Sequence, residues 1–227
     1  MTHLPDVPRW YHLDDEVTGV RVLLGLVDEV LARARSLDYD RHAIDALLAP
    51  AIERLCKLTY GLGTESVDQR WPSEQIVGYG HKITKLHHDC VHLIEARLGE
   101  ATNESLVIDA RDDLDANPYG SLLFAHLENY AAGARYFSLD SLGVKGPERE
   151  TLREFWAKVD TLSFENSPKP LPQDGAELDA VLRSQRSDDL REVVAAITMF
   201  YYQAWAQGVC GPLARRWSSL LETKHAP

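Results

Sequence analysis

Histidine is the residue type whose placement first suggests chemistry in this 227-residue chain. His81, His87, His88 and His92 crowd one short stretch, beside Asp89 and Glu95. His88 and His92 are four apart, so on a helix they share a face at the spacing two ligands need to reach one metal ion. His81 and His88 are also aligned, but lie roughly 10 Å apart at 1.5 Å per residue, too far for one ion. No H-E-x-x-H is present, and no paired Glu-x-x-His of a di-iron bundle. Two ligands do not complete a metal site, so the expected role is a polar helix face with one or two hydrogen-bonded core histidines, and no cofactor is expected.

These residues need helices to hold them, and the chain supplies them. Val17, Val20, Leu24, Val27, Leu31 and Ala34 repeat in steps of three and four, which predicts a helix over residues 14–36. Ile44, Leu48, Ala51, Leu55, Leu58 and Leu62 predict a second over 42–62, kinked or begun at Pro50 and stopped by Gly61 and Gly63. After a polar loop, Ile83, Leu86, Cys90, Ile94 and Leu98 mark a third from about residue 80 to 98. Residues 100–115 form an acidic connector of uncertain conformation. Asn117 and Pro118 read as an N-cap and a first helical position, opening a helix with Leu123, Leu127, Tyr130, Ala134 and Phe137.

Beyond this lie a helix with Leu152, Phe155, Trp156, Val159 and Leu162, then a proline-rich extended connector. Ser187 is expected to start a long helix that carries no charge from Val193 to Ala214. Gln203, Gln207, Gly208, Gly211 and Pro212 shorten its apolar run below the length of a membrane span, which makes it a core helix. The expectation is an all-α, up-down helical bundle over 14–140, with a C-terminal helical extension over 141–222 packed on it.

Composition narrows the partners. Twenty-four Lys and Arg against 35 Asp and Glu give a net charge of −11, which opposes broad attraction to RNA or to anionic lipid. Cys56, Cys90 and Cys210 are odd in number, widely spaced and set in apolar stretches, as expected of reduced, buried thiols in the cytoplasm. The first sixteen residues hold no basic segment followed by an apolar one, so no secretory signal is expected. Phe200, Tyr201, Tyr202 and Trp205 read as core or interface rather than a pocket lining. No Walker loop, dinucleotide fingerprint or G-x-S-x-G elbow occurs.

Three segments carry a family resemblance. Residues 50–63 (PAIERLCKLTYGLG), 78–86 (GYGHKITKL) and 133–140 (GARYFSLD) resemble, in order and spacing, the second, third and fourth helices of HEPN-domain proteins. The resemblance implies a four- or five-helix bundle, often dimeric, in defence or toxin–antitoxin systems. It also implies ribonuclease chemistry from an Arg followed after four to six residues by a His. The pattern departs here: Arg135 is followed by YFSLDSLGV, without His. Arg35 and His42 have the spacing, but join the first two helices rather than sitting at the matching place. His88–Asp89 is also similar to the adjacent metal-binding pair of HD-domain phosphohydrolases, which gives an alternative with His88, Asp89 and His92 as ligands.

Up-down topology brings the ends of helices two and four to the start of helix three. That places Lys57, Tyr60, Tyr79, His81 and Arg135 together, with residues 10–12 nearby. The expected site therefore has Arg135 and His81 as catalytic residues and Lys57, Tyr60 and Tyr79 as anion ligands. The competing expectation is a noncatalytic, dimeric binding module that takes a second copy or another protein as partner.

Overall fold

In the computed structural model the described residues are 9–33, 37–133, 152–166, 172 and 174–222; the side chains of 37–39 and 152–153 are outside the description. The protein is all-α. Among the described residues nine α-helices run in order as α1 (Arg9–Arg33), α2 (Leu37–Asp68), α3 (Ser73–Tyr79), α4 (Ile83–Ala96), α5 (Glu104–Ala116), α6 (Gly120–Ala131), α7 (Leu152–Glu165), α8 (Gly175–Ala206) and α9 (Gly211–Leu221). A 3₁₀ turn, Leu98–Glu100, joins α4 to α5. No strand occurs among the described residues.

The α1 stripe is buried as its spacing dictates: Leu13, Val17, Val20, Leu24, Val27 and Leu31 all face inward. The helix begins earlier than its apolar pattern because Arg9 is held at the far end of α2. Its guanidinium pairs with Glu65 and lies 5.1 Å from the centre of the Trp71 ring.

α2 is the central element and touches α1, α3, α4, α6, α8 and α9. It runs unbroken through Pro50, so the carbonyl of Ala46 loses its usual helical donor. It also runs past Gly61 and Gly63, which do not stop it. A Cβ on Gly61 would sit 2.3 Å from the Trp71 ring, and one on Gly63 2.5 Å from Leu93 Cδ2. The glycines are there for close packing against neighbours, which outweighs their poor helix propensity.

The acidic connector is helical. Asn103 caps α5 by accepting from the Ser105 N–H at 3.2 Å, and Val107, Ala110 and Leu114 face inward toward α8. Asn117 acts one turn before α6, where its Oδ1 accepts from the Tyr119 N–H at 3.0 Å. Pro118 lies in that turn, and the helix starts at Gly120.

α8 is one helix of 32 residues, capped by Asp174, whose Oδ1 accepts from Ala176 and Glu177 at 3.0 Å each. Ser187 is internal to it, and its hydroxyl donates at 2.7 Å to the Leu31 carbonyl in the last turn of α1. Phe200, Tyr201 and Trp205 are fully buried, so most of the aromatic stripe is core; Tyr202 is half-buried. No helix among the described residues is long and apolar enough to cross a membrane.

The buried side chains of α1 to α9 form one continuous hydrophobic cluster, in which residues before and after 140 interleave. α7 docks on α6 and α8 through Phe155, Trp156 and Val159. At about 25 cal/mol per Å² of apolar surface, each such large buried side chain contributes roughly 2–3 kcal/mol against chain entropy.

Candidate functional site

The turn between α3 and α4 presents His81. Gly80 takes φ +54°, a left-handed conformation that suits glycine, and so lets α4 start directly after the turn. Glu128 of α6 caps α4 from outside, accepting from the Thr84 N–H at 2.8 Å.

His81 faces α2. Its Nδ1 is 2.9 Å from Glu53 Oε2, and the Lys57 ammonium is 2.6 Å from Glu53 Oε1. Glu53 is 15% exposed against 57% for His81, so a sheltered carboxylate holds one nitrogen of a largely open ring. Beside the pair is a shallow cavity of about 170 Å³, whose lining includes Ala46, Pro50, Glu53, His81 and Tyr130.

Tyr60 and Tyr79 meet edge to face with ring centres 5.3 Å apart. The Tyr79 hydroxyl donates to Asp89 Oδ2 at 2.5 Å, and the Lys85 ammonium reaches the same oxygen at 2.5 Å. Burial, then the Asp89 carboxylate, push the Tyr79 phenol far above its usual value. Burial also lifts the Asp89 carboxyl, but the bonds from Lys85 and Tyr79 outweigh that and hold it below the ordinary carboxylate value.

The fold thus brings Lys57 and His81 to Glu53, near the middle of α2, and sets Tyr60 against Tyr79. It also supplies a partner the sequence reading did not single out: Glu53 lies between Lys57 and His81, with one carboxylate oxygen bonded to each. The group is therefore a carboxylate–histidine pair with an adjacent ammonium, not an open cluster of cations. Glu53 was detectable only as the residue four before Lys57 on a helix.

Arg135 lies outside the described residues, as does Arg35; His42 is exposed on the first turns of α2. The segment from Arg9 starts beside Glu65 and Trp71, roughly 18 Å along α2 from Glu53 at 1.5 Å per residue, and so is not part of this group.

The proposed metal ligands separate. Asp89 turns toward Tyr79 and Lys85, whereas His88 and His92 are exposed and border a different cleft. His92 Nδ1 is 3.3 Å from Glu95 Oε2. Among the described residues no three His, Cys, Asp or Glu side chains group so as to hold a metal ion.

A second carboxylate–histidine pair is wholly internal. His126 Nε2 is 2.8 Å from Asp45 Oδ1, with side chains 3% and 2% exposed, and the His126 ring stacks on Phe155 at 3.7 Å. Its partners are 81 residues apart, a distance over which neither motif nor periodicity gives a signal. Solvent and substrate cannot reach it, so it ties α2, α6 and α7 together. Comparison with protein-family models, with curated proteins and with solved structures finds no match.

Proposed function

We propose that the chain is a HEPN-like protein of a cytoplasmic defence or toxin-type system, with an acid–base site for RNA phosphodiesters built around His81. The observation that carries this reading is the 2.9 Å contact between Glu53 and an imidazole that is 57% exposed. A carboxylate on Nδ1 fixes the Nδ1–H tautomer and orients the ring, which leaves Nε2 free to take a proton from a ribose hydroxyl. Lys57 adds positive charge next to the pair, and Arg135, four residues beyond the Ala131 that borders the same cavity, would hold the phosphate. In this reading His81 takes the role of the histidine that the sequence lacks after Arg135.

The test is cleavage of labelled RNA by the purified full chain. Cleavage lost in His81→Ala and in Arg135→Ala, with helical content unchanged, supports the reading. A wild-type protein inert toward single- and double-stranded RNA rejects it.

A second reading is a noncatalytic dimer, supported by Val22 and Leu26 on α1. These lie one turn apart and are 53% and 41% exposed. Light scattering separates the two: a monomer that Val22→Asp leaves unchanged excludes a dimer through this face.

A further inference from the structure

α1 buries one stripe and leaves the opposite one open. Asp15, Val22, Leu26 and Arg33 are all exposed and fall within about 40° of one another around the helix, at 3.6 residues per turn. Val22 and Leu26 form the apolar middle of this outer stripe, and the charged residues lie toward its ends.

The middle also holds a glycine that the packing of the chain does not require. A Cβ added to Gly25 would meet no atom within 4 Å, in contrast to Gly61 and Gly63, where packed neighbours exclude one. Glycine inside a helix costs about 1 kcal/mol relative to alanine, and no neighbour among the described residues accounts for that at Gly25. The close approach of a second helix does, because a missing side chain lets two backbones draw together.

The charges are arranged about the same point. Asp15 and Arg33 stand nine residues either side of Leu24, and Val22 and Leu26 stand two either side of it. Arg21 and Glu29 stand four either side of Gly25. A two-fold axis at this point sets Asp15 against Arg33 of a second copy, Arg21 against its Glu29 and Val22 against its Leu26. A parallel alignment would place each charge against its own like, which is repulsive. Such self-complementarity is the signature of an isologous contact, in which residue i meets j and j meets i. An unrelated partner would not require the mirror.

The stripe also differs from the rest of the molecule in charge. The chain carries −11, so two copies repel at long range, yet this face balances two carboxylates with two guanidiniums. Arg33 bonds to Glu29 at 3.0 Å, in a pair so exposed (78% and 58%) that it is readily exchanged for contacts across an interface. Asp15 and Arg21 make no ion pair among the described residues.

We propose that the outer face of α1 is an isologous interface, on which a second copy of this chain packs its own α1 antiparallel about Gly25. The proposal rests on the dimer reading above and adds to it the partner, the direction and the register. The contact runs from Asp15 to Arg33, roughly 27 Å at 1.5 Å per residue. One helix pair is at the small end of specific interfaces, so the dimer is weak and exchanges with monomer.

The test is sedimentation of the full chain from micromolar to millimolar concentration, with helical content checked for every variant. The expected result is a reversible monomer–dimer equilibrium. Asp15→Arg or Arg33→Asp alone puts like charges across both symmetric contacts and should weaken the dimer about tenfold. Combining the two restores opposite charges and should return the affinity to within about threefold of wild type. Gly25→Leu should abolish the dimer and leave the fold intact, since the space beside Gly25 is open within the chain. A monomer at every concentration overturns this interface and the dimer reading together. A dimer that both single charge variants leave unchanged overturns this interface alone and puts the contact on another face.

Discussion

Trp205 Nε1 donates at 2.9 Å to Thr59 Oγ1, and that hydroxyl donates at 2.9 Å to the Leu55 carbonyl one turn back along α2. Both residues are fully buried, so the hydroxyl is what lets an indole N–H enter the core. Thr59→Val keeps the shape and removes the acceptor. It should destabilise the protein by about 1–3 kcal/mol, read as a lower urea midpoint with an unchanged slope.

Asp45→Ala leaves His126 internal and unpaired beneath Phe155. Removing one member of a buried, paired couple costs about 3 kcal/mol or more. Because the pair links α7 to α2 and α6, amide exchange in α7 should accelerate more than in α4. Uniform protection of both helices would contradict that role.

Gly61→Ala raises intrinsic helix propensity by about 1 kcal/mol, yet its Cβ would lie 2.3 Å from the Trp71 ring. Overpacking of this kind costs about 1–3 kcal/mol, so the net change is destabilising unless Trp71 swings away. A lower Tm, or an unchanged Tm with red-shifted tryptophan emission, is the expected result. A raised Tm with unchanged emission would show that Trp71 does not pack there.

Asp89 titrates below the usual carboxyl value of 3.8 because Lys85 and Tyr79 donate to it. A carboxyl more acidic when folded than when unfolded adds stability above the usual value, and that stability is lost as pH falls through the lower, folded value. Asp89→Asn should therefore be less stable than wild type at neutral pH, and the difference should shrink below about pH 4. Urea unfolding across acidic pH measures it; a gap of constant size would mean that the carboxylate charge contributes nothing.

Glu53→Gln keeps a hydrogen-bonding oxygen but removes the carboxylate charge 2.9 Å from His81 Nδ1. If the pair acts in RNA cleavage, the rate should fall about a hundredfold while RNA affinity stays the same. Lys57→Met should act mainly on affinity.

The helix stripes were legible where a single face meets the core, as in Val17, Val20, Leu24, Val27 and Leu31, because burial imposes a period of three to four. Boundaries failed where distant contacts override local signals. Gly61 and Gly63 looked like a stop until Trp71 and Leu93 filled the space they leave. Ser187 looked like a cap, but donates to a carbonyl 156 residues away. The expected cluster of Lys57, Tyr60, Tyr79, His81 and Arg135 rested on helix order alone; Lys57 and His81 meet through Glu53 in the middle of α2, and Arg135 lies outside the described residues. The place of Glu53 was not legible, since a helix pattern says which residues share a face, not which partner each side chain chooses.

The contact of α9 with both α1 and α2 has a consequence for synthesis. As the chain leaves a ribosome, α1 and α2 emerge with their apolar faces formed, but without α9, which covers part of them. Closure waits until α9 has been made. The nascent protein therefore passes through a long interval in which Val17, Val20 and their neighbours are exposed to chaperones and to other nascent chains. A stop codon just before α9 should yield an aggregating product rather than a smaller folded one.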